Sequence, residues 1–496
     1  MTEIEKRSRR ICGIVIFLLA LFSYSYFFQN PWNWNSVPRT AMAVSIVERG
    51  ALDINEFARA TGDKAYYKGN FYSEKAPGIS LMALPSVYLT KHYFDAKAGS
   101  YAWTYKGGGI SYYFIAAMQF ATITAVGLVT AAAALALYLL ALRLGAGLTG
   151  ASFGALAYAL ATPTWGWATA LFGHAPAGAL LLLGLAVIVY TAQAPPSKLK
   201  DIIAAFTAGA FLSWAVTVEY TSAPASALIA LYGVWQLKTT GREGMLRILV
   251  SAAAGAVLFI LPPLVINHMI FGSPFTSAYK YAVSFEKMSE GYYGITSLPR
   301  PEVIYRILIG PGKGLFVLSP VLLFSFYAVY RMFREPERRA LGLLVTLVFL
   351  YYVLWNASYY YWDGGGSIGP RYLTPAIPFL CLSIALLWDR SMRYVKIAMT
   401  ALLAVSFFIS LTVVSISTVD NPKGPPDAFI LTSHLLPGFF GDTKFSTSIL
   451  VLYFLLPAGR QALSGQTALI PFYVVLAICA AIIIGQLRKV KNELQL

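Results

Sequence analysis

Long apolar runs alternate with short polar segments along the whole chain. Many of these runs approach the roughly 20 residues that a helix needs to cross the hydrocarbon core of a bilayer. We therefore predict about twelve membrane-spanning helices, over residues 11–28, 110–142, 148–163, 174–193, 202–218, 220–237, 248–271, 314–332, 340–357, 371–388, 396–416 and 468–487. The apolar segment 448–456 is short, so we predict an interfacial or re-entrant element there.

The polar segments divide the chain into four parts and define the predicted fold class, an all-α polytopic membrane protein. The largest polar segment, residues 29–109, separates the first two spans, and its periodic stretches 36–52 and 79–94 predict helices lying along the membrane surface, the second interrupted by Pro85. The predicted parts are the N-terminus with the first span (1–28), the first outer loop with juxtamembrane helices and catalytic elements (29–109), the bundle with outer loop 272–313 (110–416), and an outer loop, interfacial segment and last span (417–496).

Composition and charge support a multi-pass protein of the cell membrane. Hydrophobic residues make up 57% of the chain and charged residues 12%, which excludes an ordinary soluble domain. Lysines and arginines flank alternate spans, as in residues 6–10 and 488–491, and this pattern predicts that both termini are cytoplasmic. Because the +16 net charge is spread over short turns, the sequence predicts the lipid bilayer as a partner and no nucleic acid.

The first outer loop concentrates acids, lysines and tyrosines within residues 62–78. Asp63 and Glu74 are each followed by a lysine, Lys64 and Lys75, and a neighbouring cation favours the ionised carboxylate that a general base requires. Solvated loop charges are the alternative interpretation. We predict Asp63 and Glu74 as catalytic candidates on a periplasmic or extracellular face.

Several further polar residues lie near predicted span ends. His174 opens the fourth span, where a helix N-terminus can bind a phosphate, although an interfacial histidine is equally consistent with the pattern. Glu219 precedes Tyr220 in a turn, and a carboxylate at membrane depth costs about 3 kcal/mol unless it reaches water, an ion or a ligand. We predict that Tyr66, Tyr72, Glu219 and Tyr220 bind substrate.

A third cluster covers residues 359–372 at the entrance to the tenth span. Arg371 can pair with two phosphate oxygens, whereas the alternative is an arginine that extends to the interface. Glycines 364–366 would let a bulky head group approach the backbone. Trp362 and Asp363 are the substrate-binding candidates in this cluster.

Common motifs for nucleotide binding and for zinc-dependent hydrolysis are missing from the sequence. It contains no Walker-type Gly-Lys-Ser/Thr, no His-Glu-x-x-His and no Rossmann glycine pattern. We therefore expect no nucleotide cofactor. The outer acids could ligate a divalent cation, so the metal requirement stays open.

Two of these segments resemble a known superfamily. The pattern Tyr-x-Gly-x-x-Tyr-x-Glu-Lys-x-Pro at residues 67–77 resembles the Glu-Lys-Pro-Pro element of GT-C membrane glycosyltransferases, which include aminoarabinose transferases and protein O-mannosyltransferases. Residues 362–372 resemble the Gly-Gly-x-x-x-Gly-Pro-Arg-Tyr segment of bacterial members. The resemblance implies an inverting transfer of a hexose or pentose from a polyprenyl-phosphate donor to a glycan, lipid or protein hydroxyl.

The resemblance also implies roles for individual residues. Lys75 would contact the donor phosphate, and an acid in the first loop would activate the acceptor. The superfamily usually has an aspartate just after the first span, where this chain has Asn33, Asn35, Ser36 and Arg39. The expected base is therefore Asp63, with Glu74 second. Arg371, Lys64 and His174 complete the predicted phosphate contacts.

Two other functions are alternatives to glycosyl transfer. A transporter or lipid-linked sugar flippase usually carries its ionisable residues near the bilayer midplane, whereas here the acids lie near predicted span ends. An O-antigen-ligase-like enzyme has its main outer loop late in the chain. The early position of residues 29–109 favours the transferase.

Overall fold

The fold is a helical bundle in a computed structural model that describes residues 2–98, 112–291, 294–419, 428–441, 445 and 465–493. Its α-helices are α1 (Glu3–Tyr26), α2 (Ser36–Arg49), α3 (Gly78–Ala98), α4 (Tyr112–Ala121), α5 (Leu128–Arg143), α6 (Leu148–Leu160), α7 (Thr164–Trp167), α8 (His174–Ala192), α9 (Lys198–Val218), α10 (Ala223–Thr239), α11 (Met245–Phe271), α12 (Pro301–Leu308), α13 (Leu315–Leu318), α14 (Phe324–Arg334), α15 (Pro336–Ser358), α16 (Ile377–Trp388), α17 (Arg393–Ile416), α18 (Leu436–Phe440) and α19 (Ile470–Glu493).

Shorter elements connect these helices. The 3-10 helices cover Asn55–Ala60, Tyr220–Ser222, Ala278–Tyr281, Glu286–Ser289, Pro320–Leu323, Arg371–Ala376 and Gly465–Leu469, and π-helices cover Thr122–Gly127 and Leu431–Leu435. One antiparallel hairpin pairs β1 (Lys64–Tyr67) with β2 (Asn70–Ser73). The predicted all-α polytopic class is therefore confirmed.

Each of the twelve predicted spans overlaps one or more helical segments in the described part of the chain. Within the described ranges, nine helices are long and apolar enough to cross a membrane. Two other predicted spans form the shorter helices α6 and α10, of 13 and 17 residues. The segment 448–456 lies outside the described residues.

The predicted span 314–332 is broken, which corrects the expectation of one continuous helix. Ser319 precedes Pro320, and its backbone has φ −142° and ψ 70°. A proline ring clashes with an α-helical residue in front of it, so the chain leaves the helix after α13 and resumes at α14.

Close packing of two spanning helices shows how small residues hold the bundle together. On α9, a Cβ added to Gly209 would lie 2.0 Å from the carbonyl oxygen of Ala252 on α11. On α11, a Cβ added to Gly255 would lie 2.1 Å from the carbonyl oxygen of Phe206. Such contacts bring two backbones together, and glycine makes this approach feasible in a membrane.

The first loop folds much as its pattern predicts. Helix α2 ends at Gly50, which has φ 63° and caps the helix through its backbone N–H. The hairpin turns at Lys68 and Gly69, with φ 47° and 86°, the pair of positive values that a tight two-residue turn requires. Helix α3 continues through Pro85, so the predicted interruption there is wrong.

The hairpin and α3 are held against the ends of α9 and α11. A Cβ on Gly78, the first residue of α3, would lie 2.6 Å from the carbonyl of Thr217 near the end of α9. Beyond α11, Val283 donates its backbone N–H to the Lys64 carbonyl at 2.9 Å. The polar first loop is thereby fixed over one end of the bundle.

Candidate active site

A cavity of about 460 Å³ lies where the first loop meets the bundle. Its walls come from α2, the segments flanking the hairpin, the start of α8, the turn after α9, the loop after α11, and residues 351–372. Many aromatic rings line it, together with six acidic, basic or histidine side chains, which are Arg39, Asp63, Lys75, His174, Glu219 and Arg371. The cavity therefore unites residues more than 300 positions apart.

Lys75 joins two carboxylates on one wall. Its Nζ lies 2.9 Å from Asp63 Oδ2 and 2.8 Å from Glu74 Oε1. Burial alone would lower the pKa of Lys75, but the two carboxylates raise it well above its usual value. Asp63 and Lys75 line the main cavity, whereas Glu74 lines a small adjoining pocket.

Glu74 is the most buried member of this group. The residue is 0% exposed, and its Oε2 has no hydrogen-bond partner among the described residues. Burial raises the pKa of Glu74 to about 7, and the nearby Asp63 charge adds to this effect while Lys75 opposes it. Asp63, which reaches the cavity, is the better-placed of the two predicted bases.

His174 and Glu219 form a second pair on the cavity wall. His174 Nδ1 lies 3.3 Å from Glu219 Oε2. The site is tight, because a Cβ on Gly173 would lie 2.8 Å from the same carboxylate oxygen. Burial raises the pKa of Glu219, and Arg39 is the strongest of the cations that oppose the shift. The predicted membrane-depth carboxylate thus has a polar partner in His174 and access to a cavity.

Arg371 lies between two aromatic rings at the cavity surface. Its guanidinium carbon is 5.5 Å from the centre of the Phe172 ring and 5.0 Å from that of Tyr372, and one terminal nitrogen donates to the Tyr372 hydroxyl at 3.1 Å. The Nε atom is buried without a hydrogen-bond partner in the described part of the chain. Stacking of this kind holds a guanidinium in place while leaving N–H groups for a ligand.

A glycine turn packs directly against Arg371. Gly364 has φ 66°, and a Cβ there would lie 2.8 Å from Arg371 Nε. Lys313 supports the turn by donating from Nζ to the carbonyl oxygens of Asp363 and Gly365, at 2.6 and 2.9 Å. Burial lowers the pKa of Lys313 to about 8. The sequence interpretation missed this lysine, although its setting in Gly-Pro-Gly-Lys-Gly at residues 310–314 marked a turn.

Besides Glu74, three predicted first-loop residues do not line the cavity. Lys64 donates to a backbone carbonyl of the preceding 3-10 helix, and its Nζ lies 5.1 Å from the centre of the Phe71 ring. Tyr66 is 50% exposed and contacts the same ring. Tyr72 packs against Phe271, with ring centres 6.2 Å apart. Their predicted roles in phosphate and substrate binding stay predictions.

Three other predicted substrate-binding residues also differ in whether they line the cavity. Tyr220 lines the cavity, whereas Trp362 and Asp363 do not. Trp362 lies under the guanidinium of Arg306 at 5.8 Å, and Asp363 Oδ1 accepts the backbone N–H of Gly365 at 3.2 Å. Asp363 therefore shapes the turn that supports Arg371.

Arg39 is the cavity cation that sequence reasoning left without a role. It lies on α2 and is 3% exposed. The sequence signal was available, because the departure from the usual superfamily aspartate drew attention to residues 33–39. Only the fold shows that this arginine faces the cavity.

No group of three or more His, Cys, Asp and Glu side chains that could hold a metal ion occurs within the described ranges. The cavity carboxylates are instead paired with Lys75 and His174. The predicted divalent cation stays a prediction.

Comparison with known proteins identifies the fold. No protein-family model and no curated protein matches the sequence. The chain is similar to ArnT from Cupriavidus metallidurans, with a TM-score of 0.50 and 16% identity both for the apo structure and for the structure bound to undecaprenyl phosphate. The matches cover 96% of this chain and 76% of the apo chain, and 79% of this chain and 62% of the lipid-bound chain.

A weaker likeness is to the archaeal oligosaccharyltransferase AglB from Archaeoglobus fulgidus, in complex with an inhibitory peptide and a dolichol-phosphate. That match has a TM-score of 0.46 and 10% identity, and it covers 85% of this chain and 57% of the AglB chain. The likeness to ArnT extends over most of the helical bundle described above. The chain shares its fold with ArnT, which agrees with the polytopic helical fold expected from the sequence.

Proposed function

We propose that this protein is an inverting glycosyltransferase that moves a sugar from a polyprenyl-phosphate donor to an acceptor hydroxyl at the outer face of the cell membrane. The acceptor would be a lipid, a glycan or a protein. The ArnT fold supports the proposal, because one of the two ArnT structures is bound to undecaprenyl phosphate. The basic segments that flank alternate spans support the orientation.

The charge of the cavity is the observation that carries the proposal. Its lining includes three cationic side chains, Arg39, Lys75 and Arg371, and two carboxylates, Asp63 and Glu219. Among these lining residues one positive charge is left over, and it persists to the extent that Glu74, which contacts Lys75 from the adjoining pocket, is protonated; burial raises the pKa of Glu74 to about 7. A sugar phosphodiester carries one negative charge, so it would balance this excess, and arginine is the side chain best suited to binding phosphate oxygens.

The aromatic lining suits the remainder of such a donor. Tyr220, Trp355, Tyr359 and Tyr360 contribute apolar ring surface with polar edges. Binding sites for small molecules combine apolar walls with a few polar groups in this way. A sugar attached to the phosphate would lie against these rings.

The proposed step moves one proton and exchanges one bond. The Asp63 carboxylate accepts the proton of the acceptor hydroxyl, and the acceptor oxygen forms a new bond to the anomeric carbon from the face opposite the phosphate. The bond between that carbon and the phosphate oxygen breaks, and its electron pair stays on the lipid phosphate. Arg371 and the other cavity cations stabilise the charge of the leaving group.

The proposal is tested by mass spectrometry of lipid-linked sugars and cell-envelope glycans in cells with and without the gene. We expect deletion to cause one polyprenyl-phosphate sugar to accumulate and one glycan, glycolipid or glycoprotein to lose a sugar. Complementation with the intact gene should reverse both changes. An unchanged glycan profile would refute the transferase and favour the transporter or flippase.

A further inference from the structure

Asn35 and Arg39 form a pair at the start of α2, facing the cavity. Arg39 donates from Nε to Asn35 Oδ1 at 3.0 Å and from Nη1 to the Ala76 carbonyl at 3.3 Å. Its other terminal nitrogen, Nη2, has no hydrogen-bond partner among the described residues. The guanidinium is thus held rigidly from one side and has a donor left over.

The carboxylates of the cavity are already paired with other residues. Asp63 contacts Lys75, together with Glu74 from the adjoining pocket, and Glu219 contacts His174. In the described part of the chain, no carboxylate oxygen lies within 4.0 Å of either Arg39 or Arg371. The ammonium of Lys75 is therefore balanced locally, whereas the two guanidiniums are not.

The surroundings of Arg39 are charged but incompletely neutralised. The groups that act on it electrostatically are Glu219, Tyr279, Asp63 and Arg371. Arg39 and Arg371 line the same cavity and repel each other. Two buried like charges are costly, and a bound anion between them would relieve that cost with charge-assisted hydrogen bonds.

We propose that Arg39, positioned by Asn35, is a phosphate-binding residue that acts together with Arg371 on the lipid phosphate. The neutral amide at position 35 is essential to this role, because it orients Arg39 without neutralising it. An aspartate there would offer the same acceptor atom and add a negative charge beside the guanidinium. The inference rests on the proposed function for the identity of the ligand.

The test measures phosphate binding directly on the purified full-length chain in detergent. Undecaprenyl phosphate is the probe, undecaprenol is the matched lipid without phosphate, and inorganic phosphate is the competitor without lipid. Asn35→Asp keeps the size and the acceptor atom, and Arg39→Gln removes the charge. Arg49→Gln is the control, because Arg49 lies on the same helix but forms an exposed ion pair with Asp53 at 3.1 Å.

We expect Asn35→Asp and Arg39→Gln each to weaken binding of undecaprenyl phosphate by roughly ten- to a hundredfold, the range for losing a hydrogen bond to a charged group. Both variants should bind undecaprenol as the wild type does. The Arg49→Gln variant should bind undecaprenyl phosphate with wild-type affinity. Competition by inorganic phosphate at millimolar concentration would show that the site recognises free phosphate, and its absence that the lipid is required. In either case the inference requires that Asn35→Asp and Arg39→Gln both lose affinity for undecaprenyl phosphate.

Wild-type affinity for undecaprenyl phosphate in both variants would overturn the inference. Faster sugar transfer by Asn35→Asp would also overturn it, because the added carboxylate would then be acting as a base. A thermal melt of each variant separates lost binding from lost folding, and Asn35→Asp is the variant that preserves the packing. If cells show no sugar transfer but phosphate binding still depends on Arg39, the proposed function fails and this inference survives.

Discussion

Replacement of Asp63 by asparagine tests the proposed chemistry most directly. Asp63 is 5% exposed, lines the cavity, and lies 2.9 Å from Lys75. Asparagine has nearly the same shape but cannot accept the acceptor proton. General-base catalysis typically contributes about 10²–10⁴-fold to the rate. We therefore expect the transfer rate to fall by about this factor, which corresponds to an activation barrier higher by about 3–5 kcal/mol.

The structure also predicts that the variant stays folded. Leaving a buried charge without an ionic partner destabilises a protein by about 3–5 kcal/mol. Lys75 would avoid this cost, because Glu74 would remain its partner at 2.8 Å. Losing one charge-assisted hydrogen bond costs about 1.5–3 kcal/mol. Removing the Asp63 charge should also lower the pKa of Glu74 from its value of about 7, because that charge helps to raise it.

The assay compares lipid-linked sugars and envelope glycans in deletion cells that carry wild-type or Asp63→Asn protein, with membrane levels measured by immunoblotting. Asp53→Asn is the matched control, because Asp53 belongs to the same loop but pairs with Arg49 outside the cavity. We expect Asp53→Asn to restore the glycan and Asp63→Asn to fail. Full restoration by Asp63→Asn at normal protein levels would refute the assignment of the base.

Two predictions concern stability. Burial raises the pKa of Glu74 from 4.5 to about 7, so between these values the folded protein holds a proton that the unfolded chain has lost, and stability should fall as pH rises. Glu74→Gln should flatten this slope in melting temperatures measured from pH 4.5 to 7, and an unchanged slope would assign it to other groups. Gly209→Ala should destabilise the bundle by about 1–3 kcal/mol, because its Cβ would meet the Ala252 carbonyl oxygen. Gly485→Ala is the control, because a Cβ at this position would meet open space. Equal melting temperatures of the two variants in detergent would contradict this view of the packing.

Local pattern was enough to predict the membrane class and most helix positions. A span is recognisable because about 20 consecutive apolar residues satisfy the bilayer wherever they occur. The hairpin turn has positive φ at Lys68 and Gly69; glycine adopts such values readily but lysine does so rarely, so residue type alone did not mark the exact turn position. Pro320 is visible in the sequence, but the apolar residues on both sides of it form one continuous run, so the break was not predicted.

The make-up of the site depended on contacts between distant segments. Lys64 and Lys75 look equivalent in the sequence, since each follows an acid, but the hairpin places only Lys75 in the cavity. The sequence drew attention to the segments that contain Arg39 and Lys313 but gave these residues no role, and they acquire roles only where α2 and the glycine turn meet the bundle.

The sequence by itself determined that the protein crosses the membrane and that its polar residues gather in a few loops, because hydrophobic length and turn preference act over neighbouring residues. The tertiary structure alone decided which acids are neutralised and which arginines are not. Charge balance in a buried cavity depends on distances of about 3–4 Å between residues hundreds of positions apart, and only the packing of the helices sets those distances.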